Sequence, residues 1–232
     1  MNLFYQPQIT EGIFYLDPEE SKHCIKVLRR TRGDTLRITD GKGFFYDTII
    51  SKADAQQCHF EVKEKIKEPT KDFSIHIAIS PTKNPERIEW FVEKAVELGI
   101  DEISFVHCTT TERPYLKIER MNKVAISAMK QSLKATLPKV NDLVKLDALI
   151  KQSKEESKFI AHVDHANPDH LKNVAPHPSN YLVLIGPEGD FSTDEITFAI
   201  QHHFQKVSLG NSRLRTETAG LAACHILNLI NT

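Results

Sequence analysis

Two arginines and a glutamate, Arg213, Arg215 and Glu217, fall within one short run, Val207-Ser208-Leu209-Gly210-Asn211-Ser212-Arg213-Leu214-Arg215-Thr216-Glu217-Thr218-Ala219-Gly220. Guanidinium groups are poor core material and good partners for negative charge, and a carboxylate beside them can orient them or take up a proton. The run opens as a short apolar strand, breaks at Gly210 and leads into the last helix, whose first amides are free to hold a ligand. A second corner of the same kind lies upstream in Tyr181-Leu182-Val183-Leu184-Ile185-Gly186-Pro187-Glu188-Gly189-Asp190-Phe191-Ser192. There the glycines let backbone approach a ligand closely, and the proline stiffens the turn. A plain tight turn uses the same residues, and exposed arginines pair readily with surface carboxylates, so each corner alone suits a structural role equally well. Together they can meet at the carboxyl edge of one parallel sheet, where open α/β sheets bind ligands.

Other chemistry is less well supported. His162-x-x-His165 and His202-His203 have no third ligand at fitting spacing, so no metal site is expected, although His162 ends a strand near the two corners and is a candidate to line the pocket. There is no Gly-x-Ser-x-Gly, and Gly186-x-x-Gly189 is not the dinucleotide fingerprint, which argues against a nucleotide-dependent enzyme. Basic residues are concentrated in two stretches. Lys22, Lys26, Arg29, Arg30, Arg32 and Arg37 are opposed only by Asp34. Arg113, Lys117, Arg120, Lys123, Lys130, Lys134, Lys139 and Lys145 are opposed by Glu119 and Asp142. Either could be a solvated face, but two such stretches in a chain of net charge -1 imply charge segregation that suits a polyanion such as RNA. A non-catalytic RNA-binding or assembly protein would use these stretches alone.

The elements that must position these residues follow from periodicity. Residues 1 to about 70 read as a small β-rich domain. Gly12–Leu16 is expected as a strand, then a helix capped by Asp17 with Pro18 first and carrying His23, Lys26, Arg29 and Arg30, then strands over 35–39, 44–51 and 57–65. A linker is expected over 67–72. From Phe73 to 232 strands and helices alternate, which predicts a parallel α/β sheet. Strands are expected at 74–79, 103–107, 159–163, 181–185 and near Val207, with helices after Pro85, over about 117–134, after a Ser192–Glu195 capping box, and over the C-terminal run, the last largely buried. The 232 residues are 40% hydrophobic and 26% charged. Four widely spaced cysteines, with no apolar run of membrane-spanning length and no signal-peptide core, predict a cytoplasmic protein with no membrane role.

In order along the chain, Leu184-Ile185-Gly186-Pro187-Glu188-Gly189, then Leu209-Gly210 and Leu214-Arg215-Thr216-Glu217-Thr218-Ala219 resemble the RsmE family, the 16S ribosomal RNA uracil-N3 methyltransferases of the SPOUT superfamily. The resemblance covers the whole chain. His23-Cys24-Ile25-Lys26-Val27-Leu28-Arg29-Arg30 with Gly33-Asp34 is similar to the family's PUA-like RNA-binding domain, Lys94-Ala95-Val96-Glu97-Leu98-Gly99 to its first catalytic-domain helix, and Gln131-Ser132 falls in a familiar place. The resemblance implies a small N-terminal PUA-like β-barrel and a SPOUT-type α/β domain closed by a deep trefoil knot, in a homodimer. It also implies S-adenosylmethionine as methyl donor and, as substrate, N3 of one uridine, uracil 1498, of 16S ribosomal RNA within the small ribosomal subunit. Carried over by position, His162, Ile185, Gly186, Pro187, Glu188, Gly189, Leu209, Gly210, Asn211, Leu214 and Thr218 are the expected cofactor-binding residues. Arg215, Arg213 and Glu217 are the expected catalytic residues, and Lys22, Lys26, Arg29, Arg30, Arg32, Arg113 and Lys134 the expected RNA contacts. The chain departs from the family at Asp190, where a second glycine is usual, and at Ser212, where an arginine is usual nearby and Arg213 stands one place later.

Overall fold

A computed structural model describes residues 2–112, 115–162 and 169–232, and the chain divides into two compact units. The expected RNA contact Arg113, together with Val163 and His165, lies outside the described residues.

The first unit holds residues 1–70 with residues 126–137, a stretch that alternation alone assigns to the second domain. Its sheet contains β1 (Leu3–Tyr5), β2 (Thr35–Thr39), β3 (Phe44–Lys52) and β4 (His59–Lys67), in that order, with β1 parallel to β2 and the other pairs antiparallel. Phe4, Leu16, Ile38, Ile50 and Phe60 fill its core. The strand expected at Gly12–Leu16 is instead a turn and one bridge, Tyr15 to His59, because Gly12 takes φ 86° and stops pairing. Helix α1 (Pro18–Lys22) is capped as expected, with the Asp17 carboxylate accepting from the Glu20 amide at 2.8 Å. It then widens into a π turn over His23–Val27 and ends, so Arg29, at φ 55°, and Arg30 lie in the following loop, not on the helix.

In the second unit six parallel strands form one sheet in the order β10-β8-β9-β5-β6-β7. They are β5 (Ser74–Ile79), β6 (Glu102–His107), β7 (Lys139–Lys145), β8 (Ser157–Ala161), β9 (Asn180–Ile185) and β10 (Gln205–Val207). β9 is paired on both sides, Val183 facing Ile77 of β5 and Phe159 of β8, and its last five residues are buried, as a central parallel strand requires. The helices are α2 (Pro85–Leu98), α3 (Ile118–Gln131), α4 (Leu146–Gln152), α5 (Leu171–Val174), α6 (Thr193–Gln201) and α7 (Thr216–Ile230). Local chemistry sets their starts. Asn84 caps α2 with Pro85 behind it and Gly99 closes it at φ 88°, while Ser192 and Glu195 form the reciprocal capping box of α6. α7 packs on α2, β5 and α5. It is buried on one face, through Gly220, Ala223, Cys224 and Leu227, rather than all round: Leu229 is 59% exposed. Because all six strands run the same way, the segments after Ile79, His107, Ala161, Ile185 and Val207 leave the sheet at one edge.

Candidate functional site

At that edge the two glycine corners are tied together. The Thr216 hydroxyl donates to the Gly186 carbonyl at 3.0 Å, joining the first residue of α7 to the residue that leaves β9. A third segment braces them: the Ser80 amide donates to the Ile185 carbonyl at 3.0 Å, and the Lys83 amide to the Glu188 carboxylate at 3.1 Å. Glu188 thus holds a loop of its own chain. Pro187 is buried, and a Cβ on Gly186 would come within 3.1 Å of the Phe191 ring, so glycine is what lets this corner close over its own aromatic. A Cβ on Gly189 would meet Thr110 at the same 3.1 Å.

Asp190 explains how the loop manages without the family's second glycine. It sits at φ 63°, a conformation glycine takes freely and aspartate better than most residues. Its carboxylate accepts from the Phe191 amide at 2.8 Å and lies 2.9 Å from His162 Nδ1, and its carbonyl accepts from the Thr110 hydroxyl at 2.6 Å. His162, expected to line the pocket, therefore has its Nδ1 turned to Asp190. Nearby, burial first and then the Glu195 charge push the Cys108 thiol up to about 12, which leaves it protonated and unsuited to nucleophilic work.

The downstream corner is open. Ser208 is held in a bridge to His170, and its hydroxyl accepts from the Gly210 amide at 3.1 Å. Gly210 takes φ 123° with nothing within 4 Å of the place where a Cβ would stand. Leu209 and Leu214 are half-buried, and Asn211 is exposed. Among the described residues, the backbone amides of Leu209, Asn211 and Leu214 donate to no other backbone group.

Beside this loop lies a cleft of about 550 Å³ between the start of α2 and the start of α7. Asn84, Glu86, Arg87 and Trp90 line one side, and Arg213, Leu214, Arg215, Glu217 and Thr218 the other. Both loop arginines are exposed and form no ion pair with the described residues. Glu217 is the opposite: its side chain is 8% exposed, with Oε1 3.8 Å from Arg87 Nε and Oε2 buried without a partner. Arg87 and Trp90 escaped the sequence reading. The only signal for Arg87 was its place on the first turn of a capped helix beginning at a sheet edge.

The basic stretches differ. Lys22, Lys26, Arg29, Arg30 and Arg32 are exposed and make no ion pair with described residues, while Arg37 is bound to Asp47 at 2.7 Å. In the second stretch Arg120 pairs with Glu89, Lys130 with Glu20 and Lys139 with Glu102, and Lys134 is half-buried, so much of that charge is neutralised. The Glu20 side chain, which a capping box would return to Asp17, goes to Lys130 instead. His202 turns Nδ1 to the Phe198 carbonyl at 2.9 Å.

These two units match known families. The model of an RNA methyltransferase domain matches residues 68–228, and that of an RNA methyltransferase PUA domain matches residues 16–63. Ribosomal RNA small subunit methyltransferase E of Mesomycoplasma hyopneumoniae is 30% identical over 169 residues, covering 69% of this chain and 72% of that protein. The chain belongs to the ribosomal RNA small subunit methyltransferase E family. A solved structure of a probable rRNA-methyltransferase from Porphyromonas gingivalis superposes with a TM-score of 0.91 at 43% identity, covering 99% of both chains. The family enzyme from Neisseria gonorrhoeae, solved bound to S-adenosyl methionine, superposes with a TM-score of 0.88 at 26% identity, covering 100% of this chain and 98% of that one.

Proposed function

We infer that the protein transfers the methyl group of S-adenosylmethionine to N3 of a uridine, uracil 1498, in 16S ribosomal RNA of the small ribosomal subunit. The observation that carries this is the Thr216–Gly186 hydrogen bond, which sets two glycine corners beside a cleft holding a buried carboxylate and two arginines with no ion-pair partner among the described residues. The corners fit the cofactor. The unpartnered loop amides and the empty space at Gly210 suit a ligand held through backbone groups, and Leu209, Leu214 and Ile185 give it apolar walls. Pro187, Glu188, Gly189 and Asn211 belong to the same two loops and Thr218 to the first turn of α7, while His162, just after β8, and Glu188 shape the upstream loop through Asp190 and Lys83. The cofactor supplies an electrophilic methyl group.

The chain's own residues do the rest. As the N3 proton leaves, negative charge spreads over the uracil carbonyl oxygens. Arg215 and Arg213, unpaired and facing the cleft, stabilise it electrostatically. Holding base and donor in line contributes several kcal/mol more, on the order of 7–11 for well-oriented reactants. Lys22, Lys26, Arg29, Arg30 and Arg32 bind RNA phosphates, with Arg113 and Lys134 adding to them.

Three further parts of the reading have their own support. A trefoil knot is consistent with the chain order: β9 inserts between β8 and β5, the chain passes outside β8 to β10, and α7 then returns to β5. The first unit is read as a PUA-like barrel built on its four-stranded sheet. A cytoplasmic homodimer is supported by Trp90 and Leu229, exposed at 42% and 59% on two helices that pack together, and by four cysteines spaced too widely to form a Cys-x-x-Cys pair. The test supplies purified protein with labelled donor and undermethylated small subunits and maps the modified atom. Label at N3 of that single uridine is expected, and label at another atom or no transfer overturns the reading.

A further inference from the structure

We propose that Glu217 accepts the N3 proton and that Arg87 is its positioning residue, a role that rests on the function inferred above. A buried carboxylate oxygen without a donor is costly and rare in folded proteins, and one lining a cleft is placed to receive a donor from a ligand. Glu217 lines the cleft, and its Oε2 is such an unpartnered buried oxygen. The other orphan among the described residues, Glu20 Oε2, belongs to a carboxylate already tied directly to Lys130. Among the described residues Glu217 has only Arg87, at 3.8 Å from Oε1, which orients the group without satisfying it. Arg87 is itself fixed on the first turn of α2, three residues after the Asn84 cap.

The pattern matches one base edge. Uracil presents an N3–H donor between two carbonyl acceptors. The cleft holds this carboxylate with Arg87 of α2 3.8 Å from it and Arg215, at the start of α7, in the same lining, so an acceptor shares the cleft with two donors. Cytosine, with a lone pair at N3 and an amino group beside it, sets acceptor against acceptor and is rejected.

The step balances. The N3–H bond breaks, its electron pair stays on N3 and the proton passes to Glu217. The N3 pair forms the bond to the methyl carbon, and the methyl–sulfur pair returns to sulfur, leaving S-adenosylhomocysteine.

Single-turnover methyl transfer by the full chain, followed from neutral to alkaline pH, tests this. Glu217→Gln is expected to lower the rate on the order of 10²–10⁴-fold while the cofactor Kd stays within about threefold of normal. The deficit should shrink as pH rises, and also when the target is replaced by 5-fluorouridine, whose N3 proton leaves more easily. Arg87→Gln should lower kcat more than it raises KM, respond to the same two rescues, and recover in part as Arg87→Lys. A Glu217→Gln rate within about threefold of the normal enzyme, or a deficit indifferent to pH and to fluorine, overturns the proposal. If Glu217→Gln does not fold, the Arg87 pair decides by the same criteria. A normal enzyme that places no methyl on N3 refutes the functional reading itself, an outcome separate from any variant.

Discussion

His162 Nδ1 lies 2.9 Å from the carboxylate of Asp190, so the residue that follows β8 is clipped to the loop that follows β9. Asp190 does two things there: it holds a left-handed backbone at φ 63° and supplies the carboxylate. Separate substitutions pull these apart. Asp190→Ala forces an alanine into a conformation costing about 1–2 kcal/mol, and S-adenosylmethionine affinity should fall roughly five- to thirtyfold by calorimetry. Asp190→Gly accepts the same backbone and should stay within about threefold. Equal losses in the two variants would show that the carboxylate, and not the backbone, is what matters.

Gly220 is where α7 comes closest to its neighbours. A Cβ there would stand 2.7 Å from the Phe91 ring and 3.0 Å from Ile79 Cδ1, both fully buried. Gly220→Ala gains about 1 kcal/mol of helix propensity but overpacks a closed interface, which costs about 1–3 kcal/mol. A net loss of stability, read as a lower denaturant midpoint at unchanged m-value, is expected. A higher midpoint would mean that α7 can slide away from α2.

The loop after the π turn should carry the salt-sensitive part of RNA binding. Replacing Arg29, Arg30 and Arg32 together with alanine removes three exposed cations that have no carboxylate partner among the described residues. The slope of log K against log salt should flatten by about 0.7–0.9 for each phosphate no longer neutralised. Arg120, already paired with Glu89 at 2.7 Å, should change it far less when substituted. Similar slopes for both variants would dissociate the loop from the phosphates.

The Arg37–Asp47 pair contributes to the acid sensitivity of the first unit. The Arg37 guanidinium, bonded to Asp47 at 2.7 Å, holds that carboxyl below its usual range. A depressed folded-state pKa stabilises the fold above the unfolded value of about 3.9, and that contribution is lost as pH falls through the folded value. Both side chains are about a third exposed, so Asp47→Asn should cost no more than about 1 kcal/mol near neutrality. Denaturation at pH values below the unfolded value of about 3.9 should show the difference from the normal protein disappearing. A cost that persists at low pH would assign Asp47 a packing role.

The corners could be read from the sequence because their causes are local. Gly186, Gly210 and the Ser192–Glu195 box each fix the backbone within a few residues. β7 escaped because Lys139–Lys145 is an edge strand with an exposed lysine at each end and no apolar run, and β1 because three residues carry no period. The Gly12–Leu16 run has the composition of a strand, but Gly12 ends a 3₁₀ turn and breaks the pairing. Sheet order, and with it the approach of Arg87 to Glu217, depends on pairings between segments distant in the chain, which periodicity does not encode. The neutralisation of the second basic stretch was hidden for the same reason: its partners, Glu20, Glu89 and Glu102, all lie far upstream.

A sheet whose strands all point one way also has a back door. The connections entering β6, β8, β9 and β10, around residues 99–101, 153–156, 175–179 and 202–204, gather at the rim opposite Gly186 and Glu217. Within the 153–156 segment Glu155 is bound to His76 at 2.6 Å while Lys154 is exposed, which makes Lys154 the natural point at which to tether the enzyme to a surface away from the working rim.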